Sequence, residues 1–360
     1  MTVTPAERAA MARALTLAAA ADAPPGPNPR VGCVLLDGHG VTIAEGFHRG
    51  AGTPHAEADA LSRARGGGAR GATAVVTLEP CNHTGRTGPC AQALVDAGVR
   101  RVVYAQDDPN PVASGGAQTL RAAGIEVVAG VLADEATRLN RAWSLAIARG
   151  RPFVTWKLAA TLDGRSAALD GTSHWVSSRA ARADTHRLRA GCDVVLVGTN
   201  TVVVDDPQLT VRDGDGRPLP YQPLRVVMGE RALPADRRVF GGVAETLHLR
   251  TRDPWAALAE LHRLERRHVF LEGGPTLAAA FLRGGLVDEV VAYVAPVLLG
   301  SGRAAVGDLG ITTMADALRL PVIDITVLDP HAPADEANVR LTLHGPGISD
   351  QPLVVRVGGC

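Results

Sequence analysis

Along the first 150 positions, stretches with apolar residues at helical spacing alternate with short, continuous apolar runs of strand length. A helix is predicted over residues 5–21, with Pro5 suited to its first turn. After a turn at Pro24–Pro29, Val31–Leu36 and Val41–Ala44 read as a hairpin around Asp37–Gly40, and a helix is expected from Pro54 to Ala64. Strand Ala74–Leu78, helix Cys90–Ala97, strand Val102–Ala105, helix Ala117–Ala123, strand Glu126–Ala129 and helix Ala133–Ala148 follow in turn. Such alternation predicts an α/β sheet covered by helices. Gly150 and Pro152 stop the last helix, and strand Phe153–Ala160 begins at once, so a domain boundary is placed there.

The second half repeats the class with different content. Helix Ser178–Ala190, strands Val194–Gly198 and Arg225–Met228, helix Pro254–Leu264, strand His268–Glu272, helix Thr276–Arg283 and strand Glu289–Val294 are expected, with Asp213–Pro223 as the most loop-like piece. The predicted organisation is therefore a domain over 1–150, a second over 151–345 and a Gly- and Pro-containing tail over 346–360. A length of 360 residues agrees with two domains.

Composition narrows the function class. Hydrophobic residues at 46% and charged ones at 21% are globular values. Lys+Arg and Asp+Glu both number 37, with 14 basic and 13 acidic groups in the first 150 residues, which argues against a nucleic-acid surface. Five cysteines are odd in number and too sparse to staple such a chain, so a reducing, cytoplasmic setting is expected. The alanine stretch Ala14–Ala21 is short and preceded by Glu7, unlike an export signal, and no apolar run reaches the ~18 residues of a membrane span.

Four residues of the first half carry a chemistry. His55 and Glu57 stand as His-Ala-Glu, Cys81 follows Pro80, and Cys90 follows Pro89. One imidazole and two thiolates form a three-ligand catalytic zinc set that leaves a fourth position for water, and the thiolates cancel the charge of the dication. With Thr53 as N-cap and Pro54 as first helical residue, His55 falls in a first turn; Pro89 does the same for Cys90, where a helix N-terminus favours a thiolate. Glu57, not ligating, can carry a proton from a zinc-activated water to a leaving amine. Singly, His-x-Glu is ordinary surface and the cysteines ordinary core; it is the combination that points to catalysis. The order matches zinc nucleobase deaminases, but eight residues separate the cysteines instead of two, leaving the polar loop 82–89 beside the metal.

No Gly-x-Gly-x-x-Gly follows a strand, so motif logic alone supports no Rossmann site. Strand His268–Glu272 does run into Gly273-Gly274-Pro275-Thr276 and a helix, which is either a pyrophosphate cradle or an ordinary loop. Lys157, Asp163, Ser173, Arg189, Thr201, Asp205 and Arg212 gather at strand ends, where open α/β sheets bind ligands, although Asp163-Gly164 and Asp205-Asp206-Pro207 also read as plain turns. Lys157, the single lysine, lies inside an apolar strand as an edge residue or a functional cation.

At this point the resemblance becomes close. Thr77-Leu78-Glu79-Pro80-Cys81-Asn82-His83-Thr84-Gly85-Arg86-Thr87-Gly88-Pro89-Cys90, with Asn28-Pro29-Arg30-Val31-Gly32 and Pro54-His55-Ala56-Glu57, resembles the bifunctional riboflavin-biosynthesis deaminase/reductase family. Lys157-Leu158-Ala159-Ala160-Thr161-Leu162-Asp163-Gly164-Arg165, Ser173-His174-Trp175, Asp205-Asp206-Pro207-Gln208-Leu209-Thr210-Val211-Arg212 and Glu272-Gly273-Gly274-Pro275-Thr276-Leu277 are similar to its reductase part.

The resemblance implies a cytidine-deaminase-like three-layer α/β/α domain followed by a dihydrofolate-reductase-like α/β domain that uses NADPH without the Rossmann glycines. It implies Zn2+ on His55, Cys81 and Cys90, Glu57 as proton shuttle, and Asn28, His83 and Arg86 on the pyrimidine and its phosphoribosyl arm. It assigns Ala159, Trp175, Thr201, Asp205, Gly274, Pro275, Thr276, Leu277, Ala278, Ala279 and Ala280 to NADPH. Ser173, Arg189, Leu209, Arg212 and Glu272 are assigned to the sugar-phosphate substrate, with Lys157 near the reacting carbon. Two departures stand out: Gly88 replaces a common Pro, and Met228-Gly229-Glu230 replaces an Asp followed by Ser or Thr, putting a carboxylate near the cofactor.

The implied function is two consecutive steps. The first is zinc-hydroxide deamination at C2 of 2,5-diamino-6-(5-phosphoribosylamino)pyrimidin-4(3H)-one; the second is NADPH reduction of the ribosyl group of 5-amino-6-(5-phosphoribosylamino)uracil to ribityl. The implied partners are these small phosphoribosylated pyrimidines and, by the resemblance alone, a second copy of the chain; nucleic acid and membrane are not expected. The competing reading is a nucleoside or nucleic-acid deaminase with a non-catalytic second domain, against which the long loop, the charge balance and the second half all count.

Overall fold

The computed structural model describes residues 2–20, 26–64, 67–83, 88–173, 176–331, 333 and 337–346. The chain divides into two compact units, Met1–Gly150 and Arg151–Cys360.

The first unit runs α1 (Pro5–Ala18), β1 (Gly32–Leu36), β2 (Thr42–Phe47), α2 (Ala56–Arg63), β3 (Thr73–Leu78), α3 (Cys90–Asp96), β4 (Arg101–Gln106), α4 (Gly116–Ala122), β5 (Glu126–Val128), α5 (Ala133–Leu139) and α6 (Arg141–Arg149). Its sheet has the order β2-β1-β3-β4-β5; β1 is antiparallel to β2 and β3, and β3, β4 and β5 are parallel. Every residue of β1, β3 and β4 is buried, because helices cover both faces. Successive residues of a strand point to opposite faces. Cys33 and Leu35 therefore pack with Ala56 and Ala60 of α2 and Leu94 of α3, while Val34 and Leu36 pack with Met11 and Ala14 of α1 and Ala136 of α5. This makes three layers. Thr4 and Glu7 close a capping box on α1, and Glu7 also pairs at 2.7 Å with Arg101 of β4, tying the helix to the sheet.

The helix expected over 133–148 is two helices, interrupted at Asn140. The side chain of Asn140, almost fully buried, accepts from Arg30 N and donates to Arg30 O, each at 2.9 Å. A buried amide must find partners, and the break lets it satisfy the backbone of the segment that leads into β1.

The second unit runs β6 (Phe153–Thr161), β7 (Arg165–Ala167), α7 (Arg179–Ala190), β8 (Val194–Gly198), α8 (Thr199–Asp205), β9 (Leu224–Met228), β10 (Thr246–Leu249), α9 (Pro254–Arg263), β11 (His268–Leu271), α10 (Pro275–Arg283), β12 (Glu289–Ala295), β13 (Arg303–Ala304), β14 (Val322–Leu328) and β15 (Asn338–His344). The large sheet has the order β10-β9-β8-β11-β6-β12-β15-β14. From β10 to β12 the pairing is parallel throughout, so the carboxyl ends lie along one edge; β15 and β14 are added antiparallel. Leu258 and Leu261 of α9 and Phe281 of α10 cover one face over Trp156, Leu196 and Leu271, and Ala181 of α7 packs on Val291 and Tyr293 of the other.

Six elements here were not expected from the pattern, among them the short strands β7 and β13. The run Thr-Asn-Thr-Val-Val-Val-Asp of α8 is rich in β-branched residues, which disfavour helix, and it is helical because it turns off the end of β8. β10, β14 and β15 are half-buried, so their apolar periodicity is weak. Segment 213–223, expected as an open loop, is a closed turn: Asp213 accepts from Asp215 N and Arg217 N, and Gln222 brackets Val211 with two bonds of 2.8 Å.

One close approach governs the first unit. A Cβ on Gly46 of β2 would lie 2.4 Å from Ala60 N and 2.5 Å from Ala56 O, so only glycine lets α2 sit against the sheet. Gly46→Ala is expected to destabilise this unit by about 1–3 kcal/mol, the usual cost of overpacking. Urea unfolding monitored on the full chain checks it, and an unchanged midpoint would show that α2 and β2 separate freely.

Candidate active sites

In the first unit, two helix starts and one strand end converge. His55 precedes α2, Cys81 lies just past β3, and Cys90 is the first residue of α3. The Sγ atoms of Cys81 and Cys90 are 3.5 and 3.3 Å from His55 Nδ1, and all three atoms lie within 4.8 Å of one another. Tetrahedral zinc with Zn–S of ~2.3 Å and Zn–N of ~2.0 Å requires N···S separations of about 3.6 Å. The donor set and its spacing fit the metal.

Local structure corrects the expected helix starts. Helix α2 begins at Ala56, two residues later than predicted: Thr53 is not its N-cap, since its hydroxyl donates to Gly50 O at 2.7 Å, and Pro54 is not helical. His55 is the N-cap residue, in extended backbone (φ −68°, ψ 161°), with no side-chain cap bond because its ring is turned to the sulfurs. Residues two apart on a helix diverge; with His55 outside it, His55 and Glu57 both reach the centre. Pro89 likewise is the N-cap of α3, not its first residue.

Glu57 is 4% exposed. Burial, with the Cys81 thiolate beside it, pushes its carboxyl up to about 7, and Cys90 is within hydrogen-bond reach. A carboxyl so placed can exchange a proton at neutral pH. In the metal-free site a hydrogen bond from Cys90 holds Cys81 down at about 4, while Cys90 is pushed far up by the same bond and by burial. Cys81 is the natural thiolate, because its sulfur also accepts from Cys90 N at 3.4 Å, at the start of α3.

The motif around Cys81 has a structural division of labour. Thr77 Oγ1 accepts from Gly32 N at 3.1 Å, and the Glu79 carboxylate accepts from Asp108 N, Gly115 N and Ala117 N, holding the start of α4. A Cβ on Gly116 would fall 1.7 Å from Pro80 O, so α4 presses directly on the residue before the ligand. His83 carries a buried Nδ1 with no partner among the described residues, an unmet group beside the centre. Asn28 Nδ2 is 2.9 Å from His48 Nε2, and His48 Nδ1 is 3.0 Å from Pro54 O. This network sets the tautomer: Nδ1–H donates to Pro54 and Nε2 accepts from Asn28. His48, its ring edge-on to His55 at 5.4 Å, belongs to the site and was missed; an isolated His after a strand carries no signal of its own. Arg86 lies outside the described residues.

In the second unit the charged residues meet at the carboxyl edge. Arg189 of α7 binds both oxygens of Glu272 past the end of β11, through Nε and, at 2.8 Å, Nη2, and its Nη1 donates to Thr210 O at 3.2 Å. Two residues expected to hold substrate are thus paired with each other. Arg212 donates to Thr210 Oγ1 at 3.1 Å and to Gln208 Oε1. Lys157 of β6 lies 5.9 Å over the Tyr293 ring; burial lowers its pKa, Glu272 opposes that, and Arg189 adds to it. His186, which carries no sequence signal of its own, faces Arg189, Glu272 and Arg212; its buried Nδ1 has no partner among the described residues, and burial first of all lowers its pKa.

Gly274 is the N-cap of α10 and a Cβ there would meet nothing within 4 Å, whereas one on Gly273 would strike Leu277 at 2.5 Å. The helix start is open to a diphosphate, which fits a dinucleotide. Thr276 is exposed and Pro275, Leu277 and Ala280 are half-buried; the side chains of Ala278 and Ala279 point into the core. Leu209, in left-handed backbone (φ 52°), also has its side chain in the core, so it can offer a ligand only backbone groups. Ala159 and Thr201 are half-buried, and Ser173 and Asp205 exposed, Asp205 beside Arg303. Asp163 closes a turn onto Gly300 N at 2.7 Å. Glu230 pairs with Arg252 at 3.3 Å, which offsets its charge next to β9. Trp175 lies outside the described residues. No helix among the described residues is long and apolar enough to cross a membrane.

Comparison with known proteins gives the family of both units. The family model for the cytidine and deoxycytidylate deaminase zinc-binding region matches residues 5–106, and that for the RibD C-terminal domain matches 152–332. The chain is 52% identical over 294 residues to the riboflavin biosynthesis protein RibD of Mycobacterium tuberculosis, spanning 81% of this chain and 86% of that one. It is similar to the solved Acinetobacter baumannii RibD, with a TM-score of 0.85 and 39% identity over 94% of this chain and 98% of that one. A Thermotoga maritima diaminohydroxyphosphoribosylaminopyrimidine deaminase/5-amino-6-(5-phosphoribosylamino)uracil reductase matches with a TM-score of 0.83 and 32% identity over 94% and 99%. The fold is accordingly a cytidine-deaminase-like α/β/α domain followed by a dihydrofolate-reductase-like α/β domain. With a deaminase zinc-binding region in its first unit and a RibD C-terminal domain filling its second, the chain belongs to the bifunctional RibD family of riboflavin-biosynthesis enzymes.

Proposed function

We propose that residues 1–150 deaminate C2 of 2,5-diamino-6-(5-phosphoribosylamino)pyrimidin-4(3H)-one and that residues 151–345 then reduce the ribosyl group of the resulting 5-amino-6-(5-phosphoribosylamino)uracil with NADPH. The observation that carries the reading is the approach of His55, Cys81 and Cys90 around an open position with a buried, proton-holding Glu57 at its side.

His55, Cys81 and Cys90 would hold zinc, which would supply a water acidified to a pKa of ~7. Glu57 takes a proton from the attacking water and gives it to the departing amine, so that water oxygen ends on C2, the C2–N bond breaks and ammonia leaves. Asn28, fixed by His48, and His83, whose buried Nδ1 has no partner among the described residues, hold the pyrimidine, and Arg86 takes the phosphoribosyl arm.

In the second unit the start of α10 with Ala159, Trp175, Thr201 and Asp205 would hold NADPH, which would supply the hydride for C1′ of the opened sugar; a proton to the heteroatom would complete the ribityl product and leave NADP+. Arg189 and Arg212 suit the substrate phosphate by their charge, Arg189 while held on Glu272 and Arg212 while held on Thr210 and Gln208; Ser173, Glu272 and the Leu209 backbone complete that pocket. Lys157 sits where the reacting carbon is expected, as a proton donor or a substrate-binding cation. The setting is the reducing cytoplasm, which suits buried cysteines that form no disulfide among the described residues.

A homo-oligomer is proposed as well. Strand β14 ends the sheet with Ile325 57% and Val327 52% exposed, an apolar edge that proteins normally cover.

Glu57→Gln should lose about 100- to 10,000-fold in ammonia release, the range for a general acid–base group, while keeping one zinc per chain. Ammonia assay and metal analysis run together check it, and retained activity would remove Glu57 from the mechanism. After chelation, Cys81 should react with iodoacetamide at pH 6 faster than Cys90, since only Cys81 is ionised there, and zinc should protect both. Peptide mass spectrometry reads the order; equal labelling would contradict the assigned thiolate. The Ile325→Lys variant should shift the mass found by light scattering toward the monomer, and a monomeric parent protein would end the oligomer reading.

A further inference from the structure

The second unit buries an arginine that no carboxylate among the described residues accompanies. Arg225, the second residue of β9, is 1% exposed and is one of the largest fully buried side chains of the protein. Its guanidinium donates to three main-chain carbonyls, Gln208 O at 3.2 Å, Gly241 O at 2.6 Å and Ala244 O, and its Nε has no partner among the described residues. Desolvation works against the charge and carbonyl dipoles alone compensate it, where an apolar residue of the same volume would carry no such cost.

What Arg225 grips is the base of the substrate loop. Between Asp206 and Arg212 the backbone twice enters the left-handed region at non-glycine residues, at Asp206 (φ 40°) and Leu209 (φ 52°), a conformation that surrounding contacts must impose. Gln208 lies between these two positions. Its carbonyl accepts from Arg225 inside the core, and its side-chain Oε1 accepts from Arg212 Nη2 on the ligand side. The next residue but one, Thr210, accepts from Arg212 Nε through its hydroxyl at 3.1 Å and from Arg189 Nη1 through its carbonyl at 3.2 Å. One buried guanidinium therefore holds a short peptide whose Gln208 and Thr210 bond Arg212 and whose Thr210 carbonyl also bonds Arg189.

We infer that Arg225 is a positioning residue for the reductase, holding Gln208 so that Gln208 and Thr210 orient Arg212 toward the substrate phosphate. The inference rests on the reading of Arg212 as a phosphate-binding residue. Arg225 itself touches no substrate: its reach ends at the loop backbone.

The test uses the full-length, zinc-loaded chain, with Arg225→Met, Arg225→Lys and Gln208→Ala made singly and in an Arg212→Ala background. KM and kcat for the phosphoribosylamino-uracil are measured with NADPH, together with the inhibition constant of ribose 5-phosphate as a phosphate probe. Arg225→Met should raise KM and the inhibition constant about tenfold, leaving kcat within about threefold and the KM for NADPH unchanged, as loss of uniform binding requires. Gln208→Ala should do the same, and Arg225→Lys should restore part of the loss. In the Arg212→Ala background neither substitution should add more than about twofold, because residues acting through one another are not additive. Ammonia release, which uses none of these residues, serves as the folding control.

A lowered melting temperature with KM and inhibition constant unchanged would make Arg225 a structural clamp and overturn the inference, as would effects fully additive to Arg212→Ala. If Arg212→Ala alone leaves both constants unchanged, the phosphate reading falls and the inference with it. Should Arg225→Met not fold, Arg225→Lys and Gln208→Ala decide the same comparison.

Discussion

Parallel strand pairing is the constraint on which both sites depend. Parallel neighbours place all their carboxyl ends on one edge of a sheet, and each strand must then hand its chain to a helix on a face. In the first unit β3 and β4 are paired in this way, and Cys81 and Asp108 follow their ends. In the second, β9, β8, β11, β6 and β12 deliver Glu230, Thr199, Glu272, Lys157 and Tyr293 to a common side. The chemistry collects there because the turn from strand to helix leaves backbone N–H groups and side chains free to face a ligand.

Holding those turns in place falls to contacts that leave no room for a side chain or an unpaired charge. Gly46 lets α2 lie on β2, Gly116 lets α4 lie on Pro80, and the Glu79 carboxylate satisfies three N–H groups at the start of α4. His55 and Cys81, the candidate ligands, thus sit on backbone that cannot shift without breaking hydrogen bonds that have no replacement in the core.

Buried charge is compensated in three different ways, and the differences track the proposed chemistry. Arg101 is matched by Glu7 and Glu126, a fully paired structural tie. Lys157 and Arg189 share Glu272, which leaves a net positive site suited to a phosphorylated substrate. Glu57 is buried beside the Cys81 thiolate, and burial first of all raises its pKa while His55 opposes the rise. Arg225, neutralised only by carbonyl dipoles, stands apart from all of these.

By itself the sequence determined the α/β class, the change of unit near Gly150, and the candidate zinc ligands, because periodicity and motif spacing are local properties. The eight-residue separation of Cys81 and Cys90 and the lysine inside an apolar strand were legible for the same reason. Tertiary structure decided what depends on neighbours far along the chain. It broke the helix at Asn140 to serve Arg30, made a helix of a valine-rich stretch after β8, and turned His55 out of α2 so that it meets Glu57. It also joined Arg189 to Glu272 across 83 residues, brought His48 to Asn28 and His186 to Arg212, and set Arg225 beneath Gln208. Single polar residues of this kind have no periodicity to announce them. Their roles come from which buried hydrogen-bonding groups the packed chain leaves beside them, and that is fixed only when the sheets have formed.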